Sequence, residues 1–96
     1  MQFIQVIEFD TDDFDGMRKI GEEWEAAAAG DSKARRRVMC EDRDRPGHYV
    51  NIVFFDSYEE AMENSNNPVT QEYSQKMAAV VSSPPKFYNL NVVEER

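Results

Sequence analysis

Residues 34–56 read ARRRVMCEDRDRPGHYVNIVFFD, and this stretch decides the fold. Two runs suited to extended backbone, 34–43 and 48–56, flank Asp44, Arg45, Pro46 and Gly47. Proline followed by glycine is strong turn punctuation, so the stretch predicts a hairpin at the centre of the chain. Working outward, Ser57 stands three residues before Glu60, the spacing of a capping box, and predicts a helix start directly after the hairpin. That helix is interrupted near Asn66, Asn67 and Pro68 and resumes with Val69, Tyr73, Met77, Val80 and Val81 on one face. Pro84 and Pro85 end it, and Lys86 to Val93 read as a last strand. On the N-terminal side, residues 2–9 are rich in β-branched and aromatic types and predict a first strand. Asp10 to Asp13 then offer helix N-cap candidates. Phe14, Met17, Ile20, Trp24, Ala27 and Ala28 recur at three- and four-residue spacing, one apolar helical stripe closed by Gly30.

Strand, helix, strand, strand, helix, strand is the split βαβ order. It predicts an α+β, ferredoxin-like βαββαβ fold, a four-stranded antiparallel sheet with two helices on one face and the first strand between the third and fourth. Ninety-six residues make one domain, 1–96. Acidic residues outnumber basic ones 19 to 11, a formal charge of −8. That balance repels phosphate backbones and anionic lipid heads, and argues against a nucleic-acid or membrane-surface role. No apolar run approaches the ~20 residues of a membrane span, and the Phe3–Phe9 stretch lacks the basic flank of a signal peptide. The reading is an acidic cytoplasmic protein. Arg35, Arg36 and Arg37 form the only basic run; on a strand they cannot all face one way, and they read as a charged, solvated edge that resists aggregation.

Strand parity gives a second inference. Ile4 and Val6 share one parity and Phe3, Ile7 and Phe9 the other; Val50, Ile52 and Phe54 oppose Tyr49, Val53 and Phe55; Tyr88, Leu90 and Val92 oppose Phe87 and Val93. Both faces are too apolar for water, and helices can cover only one. The simplest cover for the other is a second copy, so a homodimer through the sheet face is expected. Gln5, Asn51, Asn89 and Asn91 fall on one parity and converge near the sheet centre, either as a satisfied network that fixes the dimer register or as a small polar pocket between two sheets. His48, by parity, is expected to point with Val50 and Ile52 toward the helices, half exposed at a strand end.

The pattern resembles the dimeric α/β-barrel superfamily, and within it the antibiotic-biosynthesis-monooxygenase-like group. The resemblance spans nearly the whole chain, and its best local match is Phe54, Phe55, Asp56, Ser57, Tyr58, Glu59, Glu60 and Ala61, followed by Pro68. It implies two ferredoxin-like sheets paired face to face, in a group whose members include cofactor-free oxygenases of polycyclic phenols, haem-degrading enzymes and many proteins with no known activity. Members often carry a tryptophan at the strand end, where this chain has Phe55, and a histidine before the helix proline, where Asn64 is the nearest match. Haem-degrading relatives use an asparagine, tryptophan and histidine set, of which only the asparagine has a neighbouring position here, Gln5.

Candidate chemistry follows. His48 is the one side chain whose ordinary titration lies near neutrality, and with Asn64 it is the candidate catalytic pair. Asn51, Tyr88, Trp24 and Phe55 are candidate substrate contacts, although a tryptophan on an apolar helical stripe is more often core. Cys40 reads as a half-buried strand residue acting as a small hydrophobe, since one cysteine forms no internal disulfide and builds no thiolate metal site. Nothing matches a phosphate-binding glycine loop, a serine nucleophile elbow or a zinc motif, so no cofactor and no metal is expected. The sequence therefore points to a homodimer that binds a small apolar or aromatic molecule between sheet and helices, and the resemblance implies cofactor-independent monooxygenation of an aromatic or polyketide-like substrate as a chemistry to expect of it. The alternative is a non-catalytic ligand-binding or interaction module.

Overall fold

The computed structural model describes residues 2–28 and 33–96. They run β1 (Phe3–Asp10), α1 (Phe14–Ala27), β2 (Arg36–Glu41), β3 (His48–Phe55), α2 (Tyr58–Asn66), α3 (Pro68–Ala78) and β4 (Lys86–Asn91). The four strands form one antiparallel sheet in the order β2-β3-β1-β4, the ferredoxin-like arrangement expected from the sequence. The central turn uses Gly47 at φ 88°, a left-handed conformation that favours glycine.

Local chemistry sets each helix boundary. Asp13 caps α1 by accepting from the Gly16 N–H at 3.0 Å, and its negative charge suits a helix N-terminus. The C-cap is Ala28, whose N–H bonds the Trp24 carbonyl at 2.8 Å; the expected closure at Gly30 lies outside the described residues. Ser57 accepts from the Glu60 N–H, as the capping spacing predicts. The interrupted second helix is two helices. Asn67 ends α2 in an extended conformation and caps α3 by accepting from the Val69 N–H at 2.9 Å. Pro68 then occupies the first turn of α3, where a missing N–H does no harm.

Phe3, Val53, Phe55 and Ala61 form the core cluster, with Ala34 and Met62 packed against it. Phe55 is 2% exposed, a burial that stabilises by about 2–3 kcal/mol. The core fixes which sheet face the helices cover, and it reverses the sequence assignment. Phe3, Ile7, Phe9, Asn51, Val53 and Phe55 share one face by register, and that face packs against the helices through Ala61 and Met62. His48, Val50 and Ile52 lie on the opposite, open face. Both parities are apolar, so hydrophobicity cannot choose between them; the path of the β1–α1–β2 crossover does.

The amides expected between two sheets face the helices instead, where Gln5 Nε2 donates to Asn89 Oδ1 at 3.3 Å. Cys40 is exposed, not half buried, because β2 is an edge strand and no element covers that face among the described residues. No helix among the described residues is long and apolar enough to cross a membrane.

Candidate functional site

Between the sheet and the helices lies a cavity of about 510 Å³, within the ~300–1,000 Å³ range of small-molecule sites. Its floor is the helix-facing side of the sheet, with Ile7 and Phe9 from β1, Met39 from β2, Asn51 from β3 and Phe87 from β4. Phe14, Met17 and Gly21 of α1 form one wall; Met77 and Ala78 of α3, with Val81 and Pro85 beyond it, form the other. Arg18, Glu22, Glu25, Arg37 and Ser74 supply its polar positions. Three rings stack at one end, Tyr49 lying 5.6 Å from Phe9 and 4.4 Å from Phe14 between centroids. Burial, then a bond to the Glu41 carboxylate across the β2–β3 ladder, pushes the Tyr49 phenol up and keeps it neutral.

Among the described residues, one buried side-chain polar atom is left without a partner, and it belongs to the floor. Asn51 Oδ1 is buried and has no hydrogen-bond partner. An orphaned amide costs about 1–3 kcal/mol, and native folds seldom leave one without cause. Oδ1 itself has almost no accessible surface, so a ligand in the cavity meets it only if the carboxamide turns, and a turned carboxamide presents either its acceptor or its N–H donor.

Arg37 stands beside it on the same sheet face. Met39 is opposite Asn51 and Arg37 opposite Val53, which makes Arg37 and Asn51 diagonal neighbours. Its guanidinium pairs with Glu25 and lies over the Trp24 ring, 5.6 Å from the centroid.

The residues singled out from sequence do not gather at one place. Asn51 lines the cavity, whereas Phe55 is fully packed in the core. Trp24 is half buried on α1, its indole N–H donating to Thr70 Oγ1 at 3.3 Å, and it meets the cavity only through Arg37. Asn64 is buried on α2, where its Oδ1 accepts from the Lys33 N–H at 3.4 Å. His48 and Tyr88 lie on the open face, so the sheet separates His48 from Asn64. His48 is buried rather than half exposed, because β1 extends far enough to bring Asp10 Oδ1 within 2.8 Å of Nδ1 and Glu8 Oε1 within 3.5 Å of Nε2. The Tyr88 hydroxyl bonds Glu8 from the other side and is the main reason the Glu8 carboxyl sits below its usual range. Sequence reasoning missed Arg37, which belonged to a run read as a solvated edge. The available signal was its parity with Met39 and Asn51. No group of three or more His, Cys, Asp or Glu side chains among the described residues is placed to hold a metal ion.

Fold and cavity together define a ferredoxin-like α+β protein with a ligand-sized, mainly apolar chamber beneath its helices. Its fold is that of the antibiotic-biosynthesis-monooxygenase structures. SnoaB, a cofactor-independent oxygenase from Streptomyces nogalater, superposes with a TM-score of 0.82 over 98% of this chain and 95% of its own, at 14% identity. Rv0793 from Mycobacterium tuberculosis gives 0.81 over 99% and 98% of the two chains at 15% identity. An antibiotic biosynthesis monooxygenase gives 0.76 over 98% and 100% at 13% identity. No family profile matches the chain, and no curated protein matches it in sequence.

Proposed function

We propose that this chain is a homodimer, joined through its open sheet face, that binds a small aromatic or polyketide-like molecule in the sheet–helix cavity and oxygenates it without a cofactor. One observation carries the reading: the buried, unpartnered Asn51 Oδ1 in the floor of an apolar cavity of about 510 Å³. A flat ligand would lie against Phe9, Phe14 and Met17, with its hydroxyl oxygen accepting from the N–H end of the Asn51 carboxamide once that group turns toward the cavity. The fold shared with SnoaB, a cofactor-independent oxygenase, supports the choice of chemistry.

In such chemistry the substrate is its own reductant. The Asn51 N–H end holds the ionised hydroxyl oxygen, and a donor aimed at developing charge in a dry site is worth more than in water. The ring anion passes an electron to O₂, the two radicals combine at a ring carbon that bears hydrogen, and the peroxide so formed takes up the proton that the hydroxyl released. Loss of water from the resulting hydroperoxide leaves the quinone, so one oxygen atom enters the product and the other leaves as water. A second reading, a non-catalytic binding module, is favoured by one fact: the only histidine faces away from the cavity, so no imidazole base reaches a bound phenol.

Asn51→Leu tests the proposal because the two properties should move in opposite directions. Removing an orphaned amide should raise stability by about 1–3 kcal/mol in urea unfolding. Affinity for a hydroxylated polycyclic ligand should fall about tenfold or more, the worth of one buried hydrogen bond. Unchanged affinity would overturn the site. Binding across a phenol and quinol panel with no oxygen uptake would select the module.

A further inference from the structure

Asn51 does not account for the charged wall of the cavity, and Arg37 is its least explained member. The Arg37 side chain is 28% exposed, half as much as that of Glu25 at 56%. Its planar head is held by the Glu25 pair on one side and the Trp24 ring on another. A Cβ built on buried Gly21 would stand 3.8 and 3.9 Å from its two terminal nitrogens, so the head also runs close over the α1 backbone. Only Nη2 has an acceptor; Nε and Nη1 have none among the described residues. A guanidinium carries five N–H donors and stays charged at any physiological pH. A cation held through one nitrogen therefore stands diagonally across the sheet from Asn51, with an aromatic and methionine surface alongside.

We propose that the cavity selects a flat aromatic carboxylate, its hydroxyl at Asn51 and its carboxylate at Arg37. The inference rests on the reading that this cavity binds a ligand, and adds to it the ligand's charge. Hydrogen bonds between ionised partners are about twice as strong as neutral ones, and more so away from water. The chain as a whole, at −8, repels an anion. Glu22 and Glu25 line the same wall. The attraction must therefore be local to Arg37, and Glu25, which occupies part of the same cation, limits it.

Calorimetric titration with 2-naphthol and 6-hydroxy-2-naphthoic acid, one ring system without and with a carboxylate, tests this. The protein should bind the acid about tenfold more tightly or better, the difference between a charge-assisted and a neutral hydrogen bond. Arg37→Gln should abolish that preference and leave naphthol affinity within about threefold, whereas Glu25→Gln should enlarge the preference. Arg37→Lys, which keeps the charge, should retain part of it. Equal affinity for the two ligands in the unaltered protein overturns the inference and leaves the cavity reading intact. Equal loss of both ligands in Arg37→Gln, with no change in preference in Glu25→Gln, makes Arg37 a packing strut and overturns it as well. If neither compound binds, both readings fall.

Discussion

Tyr88 and Glu8 meet on the open face of the sheet, and each holds the other in one protonation state. The phenol donates to the carboxylate, the largest of the effects that lower the Glu8 carboxyl from its ordinary 4.5; burial opposes it and is second in size, and His48 and Lys86 each add a smaller lowering. The same bond raises the Tyr88 phenol above its ordinary 10.0. A carboxyl depressed in the folded state stabilises above its unfolded value, and that stability is lost as pH falls through the folded value. Tyr88→Phe removes the largest cause. The melting-temperature gap between the protein and Tyr88→Phe should therefore be full at pH 7 and shrink steadily below about pH 4.5. A gap that stays constant down to pH 3 would mean that the bond does not distinguish the charged from the neutral carboxyl. Phe55 is a case of position without function. The resemblance aligns it with a tryptophan of the monooxygenase-like group, yet here the ring is buried against Phe3 and Ala61 as core, so an aligned position did not carry over a contact surface.

Between elements, Thr11 does what its sequence position only half suggests. It lies among several cap candidates, and the cap itself is Asp13. Thr11 instead is buried and ties three segments together. Its hydroxyl donates to the Val80 carbonyl beyond α3 at 2.6 Å and accepts from the Asp13 N–H at 3.0 Å, while its own N–H bonds the Gly47 carbonyl of the hairpin turn at 3.0 Å. Thr11→Val keeps the shape and strands a carbonyl and an N–H, so it should lower unfolding stability by about 1–3 kcal/mol, and Thr11→Ser should recover most of it. A neutral Thr11→Val would show that water replaces the hydroxyl. Such ties are illegible in sequence because they join residues far apart in the chain, here 69 positions. Local boundaries were legible for the opposite reason. Ser57 and Glu60, Asn67 and Pro68, and Pro46 and Gly47 each act within a turn or less, and each element begins or breaks where they predict. The cavity fell between these cases. Parity grouped Asn51 with the aromatic set, but with both parities apolar nothing local said which set the helices would cover. Asn51 could therefore be read as facing a second sheet when it faces the helices.

For the whole molecule the decisive quantity is surface. A compact monomer of 11.1 kDa should expose about 5,700 Å², whereas this chain exposes 6596 Å². Its radius of gyration is 13.4 Å against about 12.5 Å for a compact domain of this length. It is a slab of 35 × 31 × 19 Å, with helices on one side of the sheet and, among the described residues, none on the other. That excess, part of it in the C-terminal end where Val93 is 90% exposed, leaves room for the ~800 Å² that each partner buries in a standard interface. The open face has the character to fill it: Ile4, Val6, Val50, Ile52 and Phe54 lie across its centre, and Leu90 on the outer strand is 46% exposed. Native mass spectrometry of the protein at micromolar concentration should therefore return twice 11.1 kDa. Ile52→Asp places a charge in the middle of that face, and a dimer buried there cannot accept an unpaired carboxylate, so the variant should be a monomer with an unchanged circular-dichroism spectrum. Leu90→Asp, at a more exposed strand, makes the same test should Ile52→Asp fail to fold. An unaltered protein that runs as a monomer would sink the dimer. So would aspartate variants that remain dimeric, because they would move the interface away from the sheet.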